Sequence, residues 1–305
     1  MTRPRPLPAS DPAREGALPQ AFPKRSKDTM TKKIKTAGVQ LAPGPDRERN
    51  LAKAAMLVEV AANEGARIIA LPQLFSLPWF PASIDRKNMA FAEEMDGPTV
   101  CFLLETAKRL EIVLIGSFFE VEGGRYFNTA IVAGPEGLIG KYRKVHVPQI
   151  PLWEERAYFS PGDLGFPVFD TPFGKLGVLL CWDIFFPEGF RILALKGAEM
   201  VFALTASAFE HSHKKWERAI SAAAHANGFF VFRVNRVGRE EKQEFYGKSF
   251  CCGPDGEMVD APSGASEGVI VAEAALADVA AVRNEWVFLK DRRPGAYTEI
   301  AGAKE

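Results

Sequence analysis

An α/β fold of two packed, mixed β-sheets sheathed in helices is what this chain predicts, and three observations predict it. From Lys35 onward, short apolar runs of strand length alternate with amphipathic helical stretches, the pattern left by parallel strands with helical crossovers. Two hairpin patterns interrupt that alternation and add antiparallel strands, so the sheets are mixed. With 305 residues the chain lies near the upper size for one hydrophobic core, which suits two sheets stacked within a single domain.

The elements follow in order. "KTAGVQLA" (35–42) reads as a strand and "RNLAKAAMLVEVAANEGA" (49–66) as an amphipathic helix. "RIIALPQLF" (67–75) is a buried strand running into a proline stop. A helix over about 98–109 precedes the strand "IVLIGSFFE" (112–120). "YFNTAIVAGPEGLIGKYRK" is the first hairpin, with Gly134-Pro135-Glu136-Gly137 as its turn. After the strand "GVLLC" (177–181) come a helix near 187–196, the strand "MVFALTA", a helix near 214–226 and the strand "FFVFRVN". "GKSFCCGPDGEMV" is the second hairpin, turning at Pro254-Asp255-Gly256. "NEGARIIALPQ" and "LKGAEMVFALTA" both join a helix to a strand through Gly-Ala, a sign of two similar halves. In such folds chemistry gathers at the carboxyl ends of strands, where Gln73, Cys181 and Thr205 stand.

Residues 1–29 carry six prolines and no hydrophobic periodicity; they read as a disordered leader or a mis-set start, with Met30 the natural beginning of a single domain over 30–305. The leader lacks the apolar region of a secretory signal, and Asp11, Glu15 and Asp28 count against a transit peptide. Basic and acidic side chains balance at 38 each, which argues against a nucleic-acid or anionic-membrane surface. No apolar run approaches the roughly 20 residues that span a bilayer. The four cysteines have neither disulfide-framework nor zinc-site spacing, and Cys251 and Cys252 read as core filler. A reducing cytoplasm fits, and nothing in the pattern asks for a cofactor or a metal.

Cys181 is the residue that asks for chemistry. Three aliphatic residues, Val178 to Leu180, run into it, and Trp182, Asp183 and an aromatic run follow. A buried cysteine is ordinarily a small hydrophobe, but one placed where a strand ends and polar groups begin is a candidate nucleophile. A thiol nucleophile needs a base or a positive neighbour. None of His146, His211, His213 and His225 sits in a papain-like or caspase-like context, and there is no GxSxG elbow or Gly-rich phosphate loop. Lysine and carboxylate remain. Lys144 ends a strand in the cationic "GKYRKVHVP", and Glu154 and Glu155 follow among aromatic residues in "PLWEERAYFSPGD". A cation near Cys181 would lower the thiol pKa and steady an oxyanion. The turn after Cys181 would aim the Trp182 backbone N–H at that oxyanion, with Asp183 fixing the turn.

"ALPQLF", "YRKVHVP", "EERAYFSPGDLGFPVFDTPFGKLGVLLCWDIFFPE" and "FYGKSFCCGPDGEMV…DRRPGAY" together resemble the carbon–nitrogen hydrolases of the nitrilase superfamily, from about Lys33 to Tyr297. "SFFE", "YFSPGDLGF" and "FYGKSF" look most like the branch of amidases that hydrolyse N-carbamoyl amines. The loop between "ALTASA" and "KKWERAI" is shorter than those enzymes usually carry, which argues against a carbamoylputrescine-type substrate.

The resemblance implies a four-layer αββα sandwich whose units pair across a helical face, and a Glu-Lys-Cys triad. Carried over by position, Cys181 is the nucleophile that forms a thioester, Lys144 the electrostatic stabiliser, and Glu155 the carboxylate that orients Lys144 and the substrate nitrogen. The general base falls on residue 73, which here is Gln73. An amide keeps the shape of a carboxylate without its basicity, so the site should form and turn over slowly or not at all. An engineered substitution, a natural variant that binds without turnover, or use of Glu155 as base would each account for it. The implied reaction is hydrolysis of a small amide or N-carbamoyl compound; nitrile hydrolysis at the same thiol and a silent ligand-binding protein are the alternatives. Trp79, Phe80, Trp182, Phe185 and Phe209 are candidate walls of an apolar substrate pocket. Phe185, Phe186, Phe190, Ile192 and Leu193, more apolar residues than one helix face needs, suggest a homodimer or a larger even-numbered oligomer.

Overall fold

Strand β1 (Lys33–Gln40) buries its last five residues without a break because layers cover both of its faces. The computed structural model describes residues 33–302, so the expected leader over 1–29 lies outside the described residues. Helix α1 (Arg47–Asn63), capped where Asp46 accepts from the Arg49 N–H at 3.1 Å, carries the chain to β2 (Ile68–Ala70). Helix α2 (Pro98–Leu110) starts with proline in its first turn and leads to β3 (Val113–Glu122). β1, β2 and β3 are parallel, and β4 (Arg125–Gly134) and β5 (Gly137–Arg143) extend the sheet as an antiparallel hairpin. The other edge is β13 (Gly268–Ala275), antiparallel to β1 along its length.

A second sheet repeats the plan. Parallel strands β7 (Gly174–Leu180), β8 (Met200–Leu204) and β9 (Phe230–Val234) are joined by helices α3 (Pro187–Leu195) and α4 (His213–Asn227). Antiparallel edges β6 (Val168–Thr171) and β12 (Phe250–Cys252) complete it. The Gly-Ala echo therefore marks equivalent helix-to-strand junctions in the two sheets.

Period-two alternation builds the layers. Ile68, Ala70, Val113, Ile115, Ala130 and Val132 face one way and pack with Val178, Leu180, Phe202 and Leu204 of the other sheet. Their neighbours Ile69, Leu71, Leu114, Ile131 and Ala133 face Ala54, Val58, Leu103 and Ala107 of α1 and α2. Phe190, Leu193, Trp216 and Ile220 of α3 and α4 cover the far side of the second sheet. The result is the four-layer αββα sandwich. The sheets meet so closely at Gly38 that an added Cβ would stand 2.9 Å from Val234 Cγ2, which only glycine avoids.

The structure redraws several boundaries. β2 stops at Ala70, short of the expected Phe75, because Pro72 has no N–H to give a ladder and Leu74 turns at φ +50°. The second expected hairpin is present but short. Around the Pro254-Asp255-Gly256 turn Cys252 bridges Met258 antiparallel, with the Gly253 N–H donated to the Glu257 carbonyl at 2.8 Å and the Val259 N–H to the Cys251 carbonyl at 2.9 Å, while β12 pairs with β9 on its other side. The hairpin of β10 (Val237–Glu240) and β11 (Gln243–Tyr246) and helix α5 (Leu276–Glu285), like β6 and β13, are elements that periodicity leaves unmarked. Of the residues that suggest an oligomer, Phe190 and Leu193 are buried in the core and Phe186 stacks on His146 at 3.6 Å. Among the described residues no helix is long and apolar enough to cross a membrane, and no group of three or more His, Cys, Asp or Glu could hold a metal ion.

Candidate active site

The apolar run of β7 delivers Cys181 to the first residue beyond its carboxyl end. There Cys181 takes φ +46°, a left-handed conformation that costs a non-glycine residue about 1–3 kcal/mol and persists only when its surroundings enforce it. The enforcing group is Asp183, fully buried, whose Oδ2 accepts from the Leu180 N–H at 2.9 Å and the Tyr142 hydroxyl at 2.7 Å. Its Oδ1 accepts from the His146 N–H at 2.9 Å and lies 2.8 Å from His146 Nδ1. Asp183 thus does more than fix its own turn. It ties that turn to the segment that carries Lys144.

Lys144 stands just past β5, its N–H donated to the Asn128 carbonyl at 2.9 Å and its own carbonyl accepting from Gly162 at 2.8 Å. A Cβ on Gly162 would lie 2.1 Å from the Arg143 carbonyl oxygen, so glycine is required there. Lys144 Nζ donates to Glu155 Oε2 at 2.5 Å, and neither side chain is exposed to solvent. Glu155 sits on a short 3₁₀ turn (Glu155–Ala157) whose carbonyl accepts from the Phe159 N–H at 2.9 Å. A dry ion pair of this kind is weak evidence for stability but fixes both groups in place.

Burial raises the Glu155 carboxyl above its ordinary range, against the pull of the Lys144 charge; the Asn128 amide lowers it a little from outside hydrogen-bond geometry. Burial likewise raises the Cys181 thiol, opposed by the charge of Lys144 and reinforced by that of Glu155. The Ala206 N–H and the charge of Arg233 add smaller lowering effects. Burial therefore favours the protonated thiol at Cys181, and any reaction at its sulfur would need a group to take that proton.

Gln73 follows the end of β2, fully buried, and neither its Oε1 nor its Nε2 has a hydrogen-bond partner among the described residues. Glu155 Oε1 and both polar atoms of the Asn128 side chain share that condition. Buried polar atoms are normally satisfied, so each of these unpaired groups calls for a partner, and Asn128 and Glu155 lie close enough for the amide to act on the carboxyl. Leu74, after Gln73, is held at its positive φ by its N–H donated to Ser117 Oγ at 2.7 Å. An apolar cluster of Leu74, Trp79, Phe119, Trp153, Tyr158 and Ala206 joins this segment to the residues flanking Glu155 and to Ala206, whose backbone N–H acts on the Cys181 thiol.

Cys181 borders a cavity of about 400 Å³. Trp182, Phe185 and Phe209 of the expected walls line it; Trp79 and Phe80 do not. Those two are buried in the neighbouring aromatic cluster, Trp79 against Trp153 at 6.3 Å and Phe80 on Phe119 at 5.2 Å, and border a separate cavity with Glu240 and Gln243. The walls that sequence reasoning missed are chiefly Trp153, Trp216, His211 and Lys215. Trp153 was within reach, two residues before Glu155 in the same motif. Arg233 was missed as well, although a charged residue inside the apolar run "FFVFRVN" is itself a signal.

Comparison with known proteins shows the family and the fold. The profile of the carbon-nitrogen hydrolase family matches residues 35–284. The chain is 36% identical over 280 residues to the N-carbamoylputrescine amidase of Solanum lycopersicum, covering 87% of this chain and 93% of that one. The carbon-nitrogen hydrolase from Helicobacter pylori G27 superimposes with a TM-score of 0.86 at 32% identity, over 90% of this chain and all of that one. A Glu-to-Gln mutant of the Nesterenkonia sp. AN1 amidase, from the nitrilase superfamily, superimposes with a TM-score of 0.75 at 27% identity, over 87% and 99% of the two chains. That structure shows the result of Michael addition of acrylamide at the active site cysteine.

Proposed function

Because this chain belongs to the carbon–nitrogen hydrolase family of the nitrilase superfamily, we propose that it hydrolyses a small amide or N-carbamoyl compound through a thioester on Cys181, at a rate held down by Gln73. Membership makes it an amidase-type hydrolase of non-peptide carbon–nitrogen bonds. The observation that carries the rest is the buried Lys144–Glu155 pair acting on a buried thiol at a strained strand end. Cys181 Sγ bonds to the carbonyl carbon while Lys144 and the Trp182 backbone N–H stabilise the oxyanion. The thiol proton passes to a base and then to the leaving nitrogen, the carbon–nitrogen bond breaks, and water cleaves the thioester to regenerate the thiol. Gln73 can hold the substrate amide but cannot accept that proton. Glu155, with a free Oε1 and a pKa pushed up by burial, is the carboxylate left to take it.

Ammonia release from simple amides and ureido compounds tests this reading. Slow release that vanishes in Cys181→Ala supports it, and release at an equal rate from Cys181→Ala overturns it. Trp182, Phe185 and Phe209 are the walls against which the substrate body would rest. The reading also includes a single domain over 30–305, a reducing cytoplasmic setting in keeping with four free cysteines, and a homodimer or larger even-numbered oligomer. Exposed Leu195 and the patch of Trp286, Val287 and Phe288 support association. Light scattering should give an even multiple of 33.5 kDa, and a stable monomer would refute the oligomer.

A further inference from the structure

We infer that the Cys181 cavity selects substrates with an aromatic body and a carboxylate at the outer end, and that Lys215 sets this preference; the inference rests on the hydrolase reading above. The walls are aromatic, with Trp153 against Phe209 at 4.6 Å and Phe185 against Trp216 at 4.5 Å. The residues that border the cavity include Lys215 and His211 and no Asp or Glu.

The surrounding charges point the same way. Lys215 has no ion-pair partner among the described residues, whereas its neighbour Lys214 is taken up by Glu217 at 2.6 Å. Glu210, the carboxylate nearest the rim in sequence, is not among the residues that border the cavity; its side chain is mostly exposed, 3.7 Å from His213. Behind Trp216 lies the guanidinium of Arg233, 5.0 Å from the ring centroid, fully buried and with its Nε unpartnered. Glu155 offsets the charge of Lys144 deeper in the site. The one fully charged side chain that borders the cavity is therefore a cation, Lys215, and apolar walls strengthen its effect.

Aromatic faces by themselves would also accept an ammonium group. Here an ammonium would meet Lys215 and find no carboxylate among the bordering residues to receive it. A ureido compound ending in a primary amine, such as N-carbamoylputrescine, thus fits this cavity worse than one ending in a carboxylate. At about 400 Å³ the cavity has the size of a small-metabolite site.

The test is protection of Cys181 from alkylation by iodoacetamide, followed by mass spectrometry on the peptide that contains it, so that exposed Cys101 does not interfere. Three competitors share the ureido group: N-carbamoylphenylalanine, its neutral analogue N-carbamoylphenethylamine, and N-carbamoylputrescine. N-carbamoylphenylalanine should protect at a concentration about tenfold or more below that of the neutral analogue, with N-carbamoylputrescine weakest. Lys215→Glu should reverse the order of the anionic and cationic compounds. Strongest protection by N-carbamoylputrescine, or an order that Lys215→Glu leaves unchanged, would overturn the inference. Protection by none of the three overturns it too, and ammonia release from simple amides then shows whether the hydrolase reading fails with it.

Discussion

Gln73→Glu should raise turnover of a small amide by about 10²–10⁴-fold, the usual contribution of a positioned general acid–base group. The exchange keeps side-chain length and shape. Gln73 is fully buried with both polar atoms unpartnered, so the carboxylate breaks no existing hydrogen bond. What it adds is a proton acceptor for a thiol that burial holds in its protonated form. Burial would raise its own pKa, as it does at Glu155, and so favour a carboxyl able to take up a proton near neutral pH. The gain should appear in kcat more than in KM, since a proton acceptor acts on the transition state. Cys181→Ala in the same background should remove it. Turnover unchanged by Gln73→Glu would assign the working base to Glu155 alone.

Lys144→Ala should lower turnover by about 10²–10³-fold or more, the cost of removing an oxyanion stabiliser. It also leaves the Glu155 carboxylate buried without its cation, a loss of about 3–5 kcal/mol of stability. The two effects separate in the double variant Lys144→Met/Glu155→Gln, which removes both charges. Denaturant unfolding should show most of the lost stability restored, while activity stays absent. Activity that returned with stability would mean that Lys144 only holds the fold together.

Much of this site is legible in the sequence, for reasons that differ by residue. Cys181 announces itself because an apolar strand breaks off at it, and Asp183 because a turn must follow. That Asp183 also binds the Lys144 segment is not legible: its partners are Tyr142, on β5 of the other sheet, and His146, in the loop just past it. Lys144 and Glu155 are ordinary charged residues by pattern, candidates only because no histidine has a fitting context, and their separate roles come through the family resemblance. The cavity walls are the least legible part. Trp153 meets Phe209, and Phe185 meets Trp216, from segments far apart in the chain, and aromatic content alone cannot tell a wall from core. Trp79 and Phe80 are the result: expected in the pocket, found in the packed cluster beside it. For the fold, period-two and helical patterns mark the central strands and crossovers. β13 escapes them because its place beside β1, with Ala275 opposite Lys33, is set by pairing across nearly the whole chain.

Intact mass spectrometry of the protein quenched during reaction with a small amide tests the Cys181 thioester most directly. A mass increase equal to the acyl group should appear, map to the peptide containing Cys181, decay as product forms, and be absent from Cys181→Ala. Hydrolysis with no adduct at any time, or with an adduct only at exposed Cys101, and at the same rate in Cys181→Ala, would contradict a cysteine nucleophile at the end of β7.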